Sequence, residues 1–167
     1  MALPSSLLHQ QYKYDDLFKV ELTTVHYLLS VTTLTFYDGP VPVDFLSRRL
    51  NEVVSSNPWL DSRLVTRDGT VKIKYRDDAQ TMDSFPESNQ LGGRKLTILE
   101  QNEVPLTEAD MKSHDYYTHL ERLMVKKGSA CVDKDEPLFH LAVLKLGPTK
   151  FALMLSISHT LADGYTY

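Results

Sequence analysis

Apolar residues along this chain change period several times, and each change marks an element. Val25 to Tyr37 (VHYLLSVTTLTFY) is dense in β-branched and aromatic residues and runs into Asp38-Gly39-Pro40. That is the composition of a long strand closed by a turn. In Val43 to Val54 the apolar positions Phe45, Leu46, Leu50, Val53 and Val54 fall at helical spacing, and Pro58 follows; this predicts a helix. Val71, Ile73 and Tyr75 alternate with Lys72, Lys74 and Arg76. With Leu60 to Thr66 and the intervening Arg67-Asp68-Gly69 they predict a hairpin whose second strand is half exposed.

From Asp77 to about Pro105 the periodicity dissolves into acidic and turn residues, with Lys95 to Leu99 as at most one short strand. This predicts a long connecting loop. Thr107-Glu108-Ala109-Asp110 reads as an N-cap with an acidic first turn, opening a helix to about Lys127, where Gly128 supplies the stop. Leu138 to Leu146 and Phe151 to Ser158 are the last two strands, joined by Gly147-Pro148-Thr149-Lys150. The layered solution for this order is an α/β fold, a mixed sheet flanked by helices. Phe151, Leu153, Leu155 and Ile157 share one face of the final strand. If that strand persists, His159 continues their row.

Composition narrows the possible functions. The 167 residues are 42% hydrophobic and carry a net charge of −4 with scattered basic residues. A core is affordable within one domain, and neither nucleic acid nor another polyanion is the expected partner. Cys131 is the single cysteine, which excludes a disulfide framework and a zinc site built on several thiolates. It lies beside a loop, and a reactive thiol is not expected. His114 and His119 stand one position beyond i, i+4 spacing, so no metal site is predicted. The first ten residues lack a basic flank and a long apolar stretch, and no window reaches the ~20 apolar residues of a membrane span. The expectation is a soluble, cytoplasmic chain. His140 reads as strand packing, and Asp77-Asp78 and Asp133-Lys134-Asp135-Glu136 as solvated loops.

The chemistry concentrates at the C-terminal end: Ser158-His159-Thr160-Leu161-Ala162-Asp163-Gly164-Tyr165-Thr166-Tyr167. A strand that ends in His-x-x-x-Asp-Gly carries an imidazole out of a buried row of side chains, which suits a general base aimed into a cleft. By chance, composition yields roughly 0.02 matches to this pattern in a chain of this length. The bland account is a buried histidine bonded to a carbonyl, with Asp163-Gly164 serving only as a turn.

With Glu136-Pro137-Leu138-Phe139-His140-Leu141-Ala142-Val143-Leu144 before it, this tail resembles the chloramphenicol acetyltransferase-like superfamily of CoA-dependent acyltransferases. BAHD-type enzymes, wax ester synthases and condensation domains are members. Asn57-Pro58-Trp59-Leu60-Asp61-Ser62-Arg63-Leu64 resembles a second family landmark. The resemblance implies that residues 1–167 are the N-terminal subdomain of the two-subdomain fold, with the C-terminal subdomain absent. It implies His159 as general base in transfer of an acyl group from a CoA or carrier-protein thioester to a small alcohol or amine. The thioester is then a co-substrate, and no cofactor is permanently bound. Asp163 and Gly164 would support the site, Asp163 through an arginine for which Arg63 is the candidate. Ser158, Tyr165 and Thr166 are substrate-channel candidates. Condensation domains usually carry two adjacent histidines, and Ser158 stands in place of the first. Asp61 stands where many relatives have arginine, which puts the Arg63–Asp163 pairing in doubt. The missing half, or another chain, would cover the cleft face, and the 167 residues alone are not expected to turn over. The alternative is a non-catalytic half-domain acting as a binding or scaffold module.

Overall fold

A computed structural model describes residues 12–23, 27–28, 30–76, 95–103, 110 and 116–162. In order, the elements are Tyr12–Asp16 (β1), Ser30–Asp38 (β2), the helix Val43–Ser56 (α1), a 3-10 turn at Pro58–Asp61, Arg63–Arg67 (β3), Thr70–Arg76 (β4) and Thr97–Leu99 (β5). The short helix Tyr116–Leu120 (α2) follows and runs into a 3-10 turn at Glu121–Leu123, then come Gly128–Cys131 (α3), Phe139–Gly147 (β6) and Lys150–Ser158 (β7). The strands form two sheets, ordered β1-β4-β3 and β2-β7-β6-β5. All pairings are antiparallel except β5 with β6.

The larger sheet is covered on both faces, which explains the nearly continuous apolar run of β7. Ala152 and Met154 pack with Ala142, Leu144, Leu120 and Leu123 on one side. Leu155 and Ile157 pack on the other side with Leu50 and Val54 of α1. Of the helical positions read from sequence, Leu50 and Val54 are buried, while Phe45 and Val53 stay exposed.

The hairpin forms as expected. Asp68 and Gly69 both take positive φ, 55° and 77°, the conformation of a tight I′ turn matched to strand twist. It does not join the larger sheet, so the single sheet expected from sequence becomes two. The reason is its polarity: Lys72 and Lys74 alternate with Val71 and Ile73, and only Val71 and Ile73 reach a core, with Leu64, Leu138 and Cys131. A strand with one charged face cannot sit inside a sheet buried on both sides. It pairs instead with β1, through ion pairs such as Lys72–Asp16 at 2.7 Å and a Lys74–Tyr12 cation–π contact.

Three boundaries also move. The strand expected from Val25 begins at Ser30, where pairing with Ser158 begins, and Tyr27 and Leu28 are helical. The strand expected from Leu60 begins at Arg63, because Pro58 opens a 3-10 turn there. The helix expected to reach Lys127 ends in the Glu121–Leu123 turn, and Met124 is extended. The Val125 N–H goes to Ser156 Oγ at 2.9 Å instead of to a carbonyl of a continuing helix. Gly128, expected as the stop, opens α3, because any side chain there would collide with the Tyr27 carbonyl. No helix among the described residues is long and apolar enough to cross a membrane.

Candidate functional site

His159 is the first residue past β7, in a turn. Its row therefore ends at Ile157, and His159 does not continue the strand. Backbone bonds close the turn: Leu161 and Ala162 both donate to Ser158 O, at 2.9 and 3.3 Å. Ser158 is itself anchored, its N–H donating to Leu138 O at 2.8 Å. The side chains brace the same corner. Ser158 Oγ and Thr160 Oγ1 lie 2.8 Å apart, Thr160 N donates to Ser158 Oγ at 3.3 Å, and both residues are buried. Ala162 packs with Leu60 and Ile157, and Leu161 touches that cluster and the one around Leu64. A rigid corner thus holds the imidazole.

His159 is half-buried, and its Nδ1 is sealed from solvent. The accessible part of the residue therefore lies away from Nδ1. Ser158, a channel candidate from sequence, is fully buried, with its hydroxyl at Thr160. Asp163, Gly164, Tyr165 and Thr166 lie outside the described residues.

Arg63 is buried at the start of β3 and bonds to a cluster of acidic and carbonyl oxygens. Its Nε donates to Asp135 O and Asp135 Oδ1, each at 3.1 Å, and its Nη1 to Ser62 O at 3.0 Å. Asp61 Oδ1, also buried, is 3.8 Å from Nη1. A buried guanidinium needs such pairing to offset its lost hydration. The segment 133–136 is thus not merely a solvated loop. Asp133 accepts from Thr66 N and Thr66 Oγ1 at 2.8 and 2.7 Å, which hold its carboxyl below the usual range. Asp133 and Asp135 adopt positive φ, 57° and 54°, a conformation uncommon for residues other than glycine and held here by these bonds. Asp135 was missed because nothing in the sequence marks a contact 72 residues away.

The second histidine of the region is His140, also underrated from sequence. It is 2% exposed on β6. Its Nδ1 lies 2.5 Å from Leu123 O, and its Nε2 lies 2.8 Å from Thr97 Oγ1. A carbonyl can only accept, so the neutral ring carries its proton on Nδ1 and accepts a hydrogen bond from the Thr97 hydroxyl at Nε2. Burial lowers its pKa, and the Leu123 bond opposes that shift. Next to it Ser156 Oγ lies 2.7 Å from Thr32 Oγ1 and receives the Val125 N–H. Cys131 is buried, and desolvation pushes its thiol up to about 11, so it is no nucleophile near neutrality.

Solved structures share this fold. The starter condensation domain of rhizomide synthetase RzmA superposes with a TM-score of 0.53 and 14% identity, covering 84% of this chain and 28% of that one. The first condensation domain of the calcium-dependent antibiotic synthetase, in complex with a substrate analogue, gives 0.52 and 20%, covering 83% and 30%. A condensation domain mediating chain release from the enacyloxin polyketide synthase gives 0.50 and 14%, covering 95% and 28%. The fold, two sheets flanked by helices, is shared with condensation domains. The chain spans under a third of the length of these structures. No protein-family model matches the chain, and no curated protein matches it.

Proposed function

We propose that this chain is the base-bearing, N-terminal part of an acyl-transfer domain, and that His159 is its general base. The observation that carries the reading is the turn at His159: a half-buried histidine, with Nδ1 sealed, on a corner braced by Ser158 and Thr160. Nδ1 is sealed inside the corner, so the reading assigns the proton transfer to Nε2. Nε2 takes the proton of an alcohol or amine as its oxygen or nitrogen bonds to the acyl carbon of a thioester. When the C–S bond breaks, the same proton goes to the departing thiolate. Acyl-CoA or an acyl-carrier thioester is the co-substrate, and no resident cofactor is required. Asp163, Gly164 and Arg63 support the turn, with Asp135 and Asp61 helping to fix Arg63. Ser158 braces the corner, and Tyr165 and Thr166 remain the channel candidates. The likeness in fold to condensation domains supports this reading, and the short span of those structures supports a complementary half that completes the cleft.

The test is single-turnover acyl transfer by the parent protein carrying the complementary half, wild type against His159→Ala and His159→Gln. Loss of a proton-transferring group reduces the rate by about 10²–10⁴-fold. Equal rates with correctly folded variants would falsify the assignment. A second reading, a non-catalytic half-domain that binds a partner, is favoured by one observation. Phe18, Val20 and Leu22, within five residues of one another, stand exposed, Phe18 by 74%, and apolar side chains this close together suit a surface that a partner covers. Unimpaired partner binding with no transfer in the parent protein selects this second reading.

A further inference from the structure

The turn that carries His159 has two ends, and different parts of the molecule hold them. Leu161 N donates to Ser158 O at 2.9 Å, so residues 158–161 form one turn with His159 and Thr160 as its central pair. Ser158 fixes the first end: it is the last residue of β7, and its N–H goes to Leu138 O at 2.8 Å. Leu161 fixes the second, with its side chain as well as its backbone. On one side it packs on the cluster of Leu60, Ile157 and Ala162, in the core between the larger sheet and α1. On the other it packs on the cluster of Leu64, Leu138 and Cys131, which Val71 and Ile73 of the smaller sheet also cover. Among the described apolar residues, no other packs against both of these clusters.

We infer that Leu161 is a positioning residue for His159: set between two cores, it fixes the far end of the turn and makes the smaller sheet part of what places the imidazole. This role rests on the reading of His159 as a base. The turn alone asks nothing of position 161 except a backbone N–H, which any residue but proline supplies. A polar residue is the ordinary choice in such a loop, so the leucine is there for what its side chain touches. Its seat on the smaller-sheet side is firm. Leu64 is fully buried, stands opposite Ile73 in the β3–β4 pairing, and receives the Asp133 N–H at its carbonyl, at 2.9 Å. Close-packed interiors have low compressibility and pass displacement on. A shift of β4 therefore reaches Leu64, then Leu161, and through the closing bond of the turn the two residues between its ends.

Steady-state acyl transfer by the parent protein tests it, with Leu161→Ala, Leu161→Met and His159→Gln beside the wild type. Leu161→Ala keeps the backbone bond and removes the wedge. It should lower kcat by about 10-fold or more and leave KM within about 2-fold, since slack at a base costs rate and not ground-state binding. Methionine conserves the volume and should recover most of that rate. A leucine that only fills the core would lower the melting temperature and leave kcat of the folded variant alone, and that result overturns the inference. Val71→Ala reads the link to the smaller sheet. It should lower kcat by about 3-fold or more where Leu161 is present, with no further loss in the Leu161→Ala background. Equal losses in the two backgrounds overturn the link. Should the alanine variant not fold, Leu161→Val carries the same comparisons. His159→Gln separates the failures: rate lost there and kept in Leu161→Ala sinks the role of Leu161 alone. Rate kept in both removes the base and its positioning residue together.

Discussion

Two histidines stand at the same end of the larger sheet and are treated in opposite ways. His140 pairs in register with Ser156 on the neighbouring strand, and His159 follows Ser158, the last residue of that strand. His140 falls on the face covered by the Glu121–Leu123 turn, so both its nitrogens are spent, on Leu123 O and Thr97 Oγ1. His159 leaves the sheet as the strand ends, and part of the residue stays accessible. Parity and strand length thus sort one residue type into a structural pin and a candidate base. A pin and a base also answer mutation differently, the first in stability and the second in rate.

The largest difference is expected from His140→Leu. Leucine fills most of the volume but leaves Leu123 O and the Thr97 hydroxyl buried without a partner. Each orphaned group costs about 1–3 kcal/mol, so a total of roughly 2–6 kcal/mol is expected. The urea midpoint reads it. His159→Gln, at a half-buried turn, costs less stability, roughly 1 kcal/mol, while lowering transfer by the parent protein. If both substitutions cost the same stability, the sorting into pin and base is wrong.

The next effect is one of pH. Burial lowers the His140 pKa below the ordinary 6.5. As pH falls through 6.5 the unfolded chain therefore takes up a proton that the folded chain refuses, and stability declines. Above that value the contribution is complete, and below the folded pKa the decline levels off. Urea midpoints at pH 7.5 and 5.5 should differ in the wild type, with the lower value at pH 5.5. His140→Leu should remove the part of that difference due to this ring. An unchanged slope in the variant would assign the pH dependence to other groups.

Much of this fold was legible in the sequence because burial on both faces writes a strong pattern. The runs Leu138–Leu146 and Phe151–Ser158 lie within a residue of β6 and β7, and Asp68-Gly69 announced its turn. Less legible was β1, where Tyr12 to Asp16 is mostly exposed and the alternation of Tyr12 and Tyr14 with charged residues is too short to stand out. Gly128 misled because its meaning is a tertiary collision with Tyr27, while glycine after a helical pattern reads locally as a stop. At the candidate site, His159 was marked by spacing within one loop. Asp135 and His140 act through partners far off in sequence, and no short pattern encodes those. The pairing proposed for Arg63 shows the same limit: the guanidinium bonds to Asp135 and approaches Asp61, while Asp163 lies outside the described residues.

The smallest effect sharpens the comparison most. Thr160→Val keeps the shape beneath His159 and deletes one hydroxyl. Ser158 Oγ loses its 2.8 Å partner but still receives the Thr160 N–H, so the corner is loosened and not orphaned. The expected cost is about 1 kcal/mol, less than at His140. If His159 acts as a base, its ring must be held within a fraction of an ångström of an incoming nucleophile, and positional slack of that kind is costly to rate. Thr160→Val should therefore lower kcat of the parent protein by about 10-fold or more, out of proportion to its effect on folding. Thr97→Val, the comparable deletion at His140, leaves Nε2 buried without its donor and should cost more, about 1–3 kcal/mol, yet leave kcat alone. Should both valines change kcat alike, or neither, the turn at His159 has no special claim to the chemistry.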